Sequence, residues 1–332
     1  MAVLVTGVAG FIGSSTTRVL LERGDEVIGI DNLNDYYDAA LKQARLSSLG
    51  QQYGNHFRFE RVDFSDADAL RRLAESHQID NIVHLGAQAG VRYSLENPQA
   101  YVQSNLVGHC NILELARAIR PNHMVYASSS SVYGGNKSLP FRVEDRVDHP
   151  LSLYAATKKA DELISESYAN LYRLPLTGLR FFTVYGPWGR PDMAIWIFTK
   201  ALFAEEPLPL FNGGEMRRDF TYIADIVRGI VACLDNPPHD NGEVKAGGSI
   251  APHALYNIGN SRSEDLMRVV QLLEQATGKK ALLDPRPMQI GDVKDTFADI
   301  SAIERDHGFV PTTSIDDGLP RFVSWYRDYH GI

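Results

Sequence analysis

Tyr154 and Lys158 stand four residues apart in the stretch YAATK, at the start of a run with helical periodicity. A helix puts residues i and i+4 on one face, so the phenol and the ammonium can meet. Most pairs of this kind belong to a solvated helix face and do nothing. The chemical alternative is specific. A phenol loses its proton near pH 10, too high for a base at neutral pH, and a neighbouring ammonium favours the phenolate. Lowering that value by about three units takes roughly 4 kcal/mol of differential stabilisation. A phenolate held this way could take a hydroxyl proton while hydride leaves the same carbon.

Hydride needs an acceptor, and the N-terminal stretch VLVTGVAGFIGSS offers a place for one. Gly7, Gly10 and Gly13 lie between an apolar run and a helical one. Backbone without Cβ turns tightly and lets a pyrophosphate approach the helix N-terminus, whose free N–H groups and dipole favour an anion. The spacing G-x-x-G-x-x-G is one residue longer than the usual dinucleotide fingerprint, but the required strand and helix flank it. Asp31 ends the second apolar run, VIGID; a carboxylate there accepts from both ribose hydroxyls and repels a 2′-phosphate, which selects NAD over NADP. Phe11 and Ile12 in the turn, Asn32 beside the acid, and Asp63 and Phe64 after the third strand extend the candidate cofactor set. Asp63 also reads as part of a helix N-cap region. A hydrogen-bond donor beside the reacting hydroxyl is also needed. Ser128, Ser129 and Ser130 end the strand HMVYASSS and Ser131 follows, at the edge where ligands sit.

The elements that must position these residues alternate. AVLVT, EVIGID, FRFERVD, NIVHLGA, HMVYASSS and LTGLRFF read as strands. FIGSSTTRVLLERG (closing at Gly24), DADALRRLAESH, YVQSNLVGHCNILELARAI and YAATKKADELISESYANLY read as helices. This rhythm implies right-handed crossovers and an α/β, Rossmann-like, doubly wound parallel sheet. After residue 183 proline, glycine and loop signals multiply, with helices expected at 193–205, 222–235, 263–277 and 315–329. Two units are therefore expected: a NAD-binding domain over 1–182 and a smaller, irregular substrate-binding domain over 183–332, part of 220–260 returning to the first. Pro237 to His253 reads as an exposed loop.

The chain has 332 residues, 44% of them apolar, ample for a buried sheet. A formal charge of −8 argues against nucleic acid as partner. Cys110 and Cys233 fall in helical patterns and read as small buried hydrophobes, and no cysteine or histidine spacing suggests a metal. No stretch is apolar enough to span a membrane, and a strand pattern beginning near Met1 leaves no room for a signal peptide. A soluble cytoplasmic protein is expected.

TGVAGFIG, the serine-rich strand end and YAATK together resemble the extended short-chain dehydrogenase/reductase family. IDNLNDYYD, HLGAQAGVRYS, SSSSVYGGN, LRFFTVYGPWGRPDMA, RRDFTYIADIVRGI and YNIGN narrow the resemblance to UDP-glucuronate 4-epimerases, over nearly the whole chain. The resemblance implies NAD-dependent epimerisation of UDP-glucuronate to UDP-galacturonate through a transient 4-keto sugar. It makes Tyr154, Lys158 and Ser129 catalytic, puts Ser130 and Ser131 beside the sugar, and puts Asn105 and the Leu85, Ala87, Gln88 segment near the cofactor. It also implies a homodimer, formed by the helices at 95–118 and 151–172 across a two-fold axis.

Arginine suits both a diphosphate and a uronate carboxylate by bidentate hydrogen bonding. By resemblance Arg218 faces the diphosphate and Arg190 the nucleotide or sugar. Arg92 and Thr183 would hold the carboxylate, and Phe211 and Asn257 would line the uridine pocket. A 4-keto uronate is a β-keto acid prone to lose CO2, so holding its carboxylate is a distinct requirement. UDP-glucuronate decarboxylase is the nearest rival; its triplet carries an acid where this chain has Ser131. UDP-glucose 4-epimerase and a catalytically dead NAD sensor are the others. Gly86, Ala224 and Ile290 depart from the family pattern, and Asp292 matches it without an assigned role.

Overall fold

The structure is a computed structural model describing residues 1–289 and 291–332; Ile290 lies outside the described residues. Its main sheet is parallel and seven-stranded: β1 (Ala2–Thr6), β2 (Glu26–Ile30), β3 (Phe57–Glu60), β4 (Asn81–His84), β5 (His123–Ser129), β6 (Leu176–Phe181) and β10 (His253–Ile258). The spatial order is β10-β6-β5-β4-β1-β2-β3. Alternation along each strand feeds two apolar layers. Val3, Val5, Val27, Val83 and Val125 pack on one face. Leu4, Ile28, Ile82 and Met124 pack on the other. Burial on both faces is why these strands read as continuous apolar runs.

Helices α1 (Phe11–Glu22), α2 (Ala39–Tyr53) and α9 (Ile223–Asp235) cover the first face. Helices α3 (Ala67–Ser76), α6 (His109–Ile119) and α7 (Leu153–Tyr172) cover the second. Two single-turn helices, α4 (Tyr93–Glu96) and α5 (Pro98–Tyr101), and a π-helical stretch over Val102–Gly108 lead into α6. Strand order reverses between β1 and β4, which opens a crevice at their carboxyl ends.

In the second half β7 (Thr183–Tyr185), β9 (Arg217–Tyr222) and β11 (Ser263–Asp265) form one small sheet, and β8 (Pro207–Phe211) pairs with β12 (Leu282–Arg286). Around them lie α8 (Ala194–Ala204), α10 (Leu266–Thr277) and α12 (Ile315–His330), while α11 (Ser301–His307) packs on β10 and α9. The bounds of α8, α9, α10 and α12 fall within a few residues of the expected ones, and α11 was not expected. α2 is unforeseen, and two of its buried side chains are Lys42 and Arg45. Strands β3 and β4 are shorter than FRFERVD and NIVHLGA; after β4 the chain leaves the sheet so that Leu85 to Gln88 wall the crevice.

Arg45 joins the two sides of that crevice. It is 2% exposed and donates to the Ala9 carbonyl (2.9 Å), Tyr37 Oη (2.7 Å) and the carbonyls of Trp188 (2.6 Å) and Gly189 (3.1 Å).

Candidate active site

The crevice is a cavity of about 680 Å³. Its floor is the turn after β1. Gly7 has φ +68°, and a Cβ there would lie 2.7 Å from the Gly86 Cα. A Cβ on Gly13 would lie 2.1 Å from the Gly7 carbonyl oxygen. Only bare backbone permits this turn, and it delivers the N-terminus of α1 to the cavity with no side-chain cap and no acid in its first turn. Those free N–H groups suit a diphosphate. Phe11 and Ile12 line the same floor.

Asp31, at the end of β2, is 8% exposed; Oδ2 accepts from the Ala9 N–H (3.2 Å) and Oδ1 from the Leu33 N–H (2.9 Å). Burial raises its pKa, against these bonds and the nearby Lys42 ammonium. Asn32 lines the cavity, whereas Asp63 stays outside the lining. The Asp63 carboxylate is taken up by Asn32 Nδ2 (2.9 Å) and by the N–H and hydroxyl of Ser65 (2.8 and 2.7 Å). Phe64 lines the cavity and explains Gly86, where an added Cβ would come within 2.5 Å of the Phe64 ring.

α7 starts at the Ser152 cap, whose hydroxyl accepts from the Ala155 N–H (3.1 Å). It turns Tyr154 and Lys158 into the cavity beside Ser129, Ser130 and Ser131 from the end of β5. Tyr154 packs edge-on against Tyr101, centroids 6.0 Å apart. Lys158 Nζ donates to the Ala127 carbonyl (3.0 Å) and to Asp161 Oδ2 (3.0 Å). Ser129 Oγ accepts from the Ser131 N–H (3.1 Å), and the Ser128 hydroxyl donates to Glu162 (2.7 Å). Burial alone would lift Glu162, yet Arg180 on β6, bidentate at 2.8 and 2.9 Å, holds it below the usual range.

Leu85, Ala87 and Gln88 wall the cavity, but Asn105 does not line it. Its Oδ1 accepts from the Gln88 N–H (2.8 Å), and its Nδ2 donates to the Gln88 carbonyl (3.0 Å) and to Thr157 Oγ1 (3.0 Å). It therefore braces the wall against α7 instead of touching a ligand. Asn257, expected in the uridine pocket, is elsewhere too. It is 1% exposed and fully engaged by Tyr133 Oη (2.6 Å) and the carbonyls of Phe141 (2.8 Å) and Asp299 (3.0 Å). That expectation is corrected: Asn257 ties β10 to two loops.

Arg92, Thr183, Arg190, Phe211 and Arg218 all line the cavity. The Arg92 guanidinium lies 4.8 Å from the Phe211 ring centroid. Arg190 is held by Asp192 (Nε to Oδ1, 3.0 Å), which also accepts from Tyr36 Oη (3.0 Å). Arg218 donates to the Lys294 carbonyl (2.7 Å) and to Asp292 Oδ1 (3.0 Å), so Asp292 aims Arg218. Tyr36, Lys42, Asp192 and Asp161 were missed from sequence. Asp192 sits two residues from Arg190 in GRPD, a signal within reach; the others depend on tertiary contact. Among the described residues no group of acids, histidines or cysteines could hold a metal ion, and no helix is long and apolar enough to cross a membrane.

The family model described as GDP-mannose 4,6 dehydratase matches residues 4–322. A probable UDP-glucuronate 4-epimerase of Rhizobium meliloti is 47% identical over 332 residues, 98% of this chain and 97% of the relative. UDP-glucuronate 4-epimerase 1 of Arabidopsis thaliana is 46% identical over 336 residues, 100% of this chain and 78% of the relative. Among solved structures, the UDP-glucuronic acid 4-epimerase of Bacillus cereus, in complex with UDP-glucuronic acid and NAD, superposes with a TM-score of 0.88 at 34% identity, covering 99% of this chain and 100% of that one. The chain belongs to the UDP-glucuronate 4-epimerases, within the extended short-chain dehydrogenase/reductase family.

Proposed function

We propose that this protein interconverts UDP-glucuronate and UDP-galacturonate at C4, using a bound NAD. The observation that carries the reading is a single cavity whose lining includes the bare-backbone turn at Gly7, the Tyr154–Lys158 face of α7, and three arginines. The turn fits the dinucleotide because side chains at Gly7 or Gly13 would strike neighbouring backbone, so only the bare turn brings the uncapped N-terminus of α1 to the place of its diphosphate. Gly7, Gly10 and Gly13 would hold that diphosphate, Asp31 the adenosine ribose, and Leu85 to Gln88 the nicotinamide side. When bound, NAD supplies reversible acceptance of the C4 hydride.

Tyr154 takes the C4 hydroxyl proton and later returns it, with Ser129 donating a hydrogen bond to the same oxygen. Lys158 holds positive charge near the phenol. Arg218, aimed by Asp292, binds the substrate diphosphate, and Phe211 offers a flat apolar face to the uracil. Arg92 and Thr183 hold the uronate carboxylate away from the alignment that expels CO2. Arg190, held in place by Asp192, meets the nucleotide or the sugar. Ser131 gives elimination chemistry no acid, which favours epimerase over decarboxylase.

We further infer that residues 1–182 bind NAD and that 183–332 bind the UDP-sugar, with α9 and β10 serving the first sheet. A homodimer through α6 and α7 is supported by Leu163 (59% exposed) and Leu171 (65% exposed) on α7. A cytoplasmic setting is supported by two free thiols, Cys110 and Cys233. Incubating the purified protein with UDP-glucuronate and identifying the sugar tests the reading. UDP-galacturonate is the expected product; UDP-xylose or no conversion would overturn it.

A further inference from the structure

One charged group beside the Tyr154–Lys158 face has no part in the mechanism above. Asp161 lies three residues beyond Lys158 on α7 and is 0% exposed. Its Oδ2 accepts from Lys158 Nζ at 3.0 Å. Its Oδ1 has no hydrogen-bond partner among the described residues. A buried carboxylate with one oxygen unmatched is a poor structural tie, because a buried acceptor without a donor keeps its full desolvation penalty. The neighbouring groups do not relieve it. Glu162, the next residue, is a like charge already held by Arg180 and Lys159. From the elements packed on this side come His109 on α6, His84 on β4 and Tyr126 on β5, all buried and kept neutral by that burial. Lys158 is therefore the one cation bonded to Asp161 among the described residues. Burial pushes the Asp161 pKa up to about 6 even with Lys158 pulling it down.

We propose that Asp161 is a positioning residue that sets how much of the Lys158 charge reaches the Tyr154 phenol. Opposed charges at 3.0 Å, shielded from water, largely cancel at a third group farther away. Asp161 holds the ammonium against the Ala127 carbonyl and screens it at once, so Tyr154 keeps its proton to a higher pH than a bare ammonium would allow. The proposal rests on the reading of Tyr154 as base and Lys158 as its cation. Asp161→Asn keeps the shape and an acceptor for Nζ but removes the screening charge. The acid limb of kcat against pH then moves down by roughly one unit, because that limb reports the base.

The test measures kcat–pH profiles for the NAD-bound wild-type enzyme, Asp161→Asn and Asp161→Ser. Alongside, the Tyr154 phenolate is titrated by ultraviolet difference absorbance against Tyr154→Phe. Both uncharged variants are expected to lower the limb and the phenolate titration together. A merely structural Asp161 would lower melting temperature or raise KM and leave the limb in place, and that result overturns the proposal. Full activity in Tyr154→Phe would instead remove the base assignment itself, a failure told apart by the variant in which it shows.

Discussion

Arg92 is exposed at the cavity mouth, and its partner there is an aromatic face 4.8 Å away. A carboxylate would be a stronger partner, since charge-assisted bonds contribute about 1.5–3 kcal/mol. Arg92→Ala is therefore expected to raise the share of turnovers that end in a decarboxylated 4-keto pentose by about tenfold or more. Chromatography of the nucleotide sugars after turnover checks this, and an unchanged product profile would discard the role. At this scale much was legible. YAATK, the three glycines and Asp31 declare themselves because their spacing is local, and a helix or turn converts spacing directly into geometry. Asp161 was not legible, although it shares α7 with Lys158. Its meaning comes from burial and an unmatched oxygen, neither of which a sequence displays.

Among the elements, the loop between β2 and α2 reaches furthest. Tyr36 leaves it to donate to Asp192, which holds Arg190, so a residue from the nucleotide side steadies an arginine from the opposite wall. Tyr36→Phe keeps the ring beside Arg190 and Tyr93 but drops that one bond. KM for UDP-glucuronate is expected to rise about fivefold with kcat within about twofold, on a loss of about 1 kcal/mol. Steady-state kinetics decides it, and a pure kcat defect would contradict the bracing role. Strands β1 to β6 and most helices were readable from periodicity, whereas the short strands of the second half were not. α2 was not, because its inner face carries Lys42 and Arg45 where an apolar stripe would have announced a helix. β10 was hidden at the edge of a loop-like stretch, since its pairing with β6 spans a long separation in sequence.

For the molecule as a whole, buried ionisable groups fix how stability varies with pH. His84 and His123 are pushed down to about 3 and about 4 by burial, and His109 falls well below its usual value for the same reason. The unfolded chain protonates all three near pH 6.5, so their contribution is complete above that pH and lost as pH falls. Asp161 and Asp219, both raised to about 6 by burial, act in the opposite sense, favouring the fold as pH falls through 6. Asp31, likewise raised by burial, joins these acids, whereas His307, lowered by burial, and Glu162 and Asp192, held low against burial by Arg180 and Arg190, join the histidines, so the balance runs in the direction of acid unfolding. Thermal melts followed by circular dichroism from neutral pH to about 4.5 should show a falling melting temperature; a rise would refute this balance.

The doubly wound sheet could be inferred from rhythm alone, whereas the mingling of the two halves could not, because it is made by side chains such as Arg45. That guanidinium, stitched to four acceptors on both banks of the crevice, works as a rivet. Floor and wall can separate only by abandoning both bonds on one bank, those to Ala9 and Tyr37 or those to Trp188 and Gly189, and leaving a buried guanidinium half unpaired. A dinucleotide lodged between banks pinned in this way should leave slowly, which its retention through dialysis would reveal.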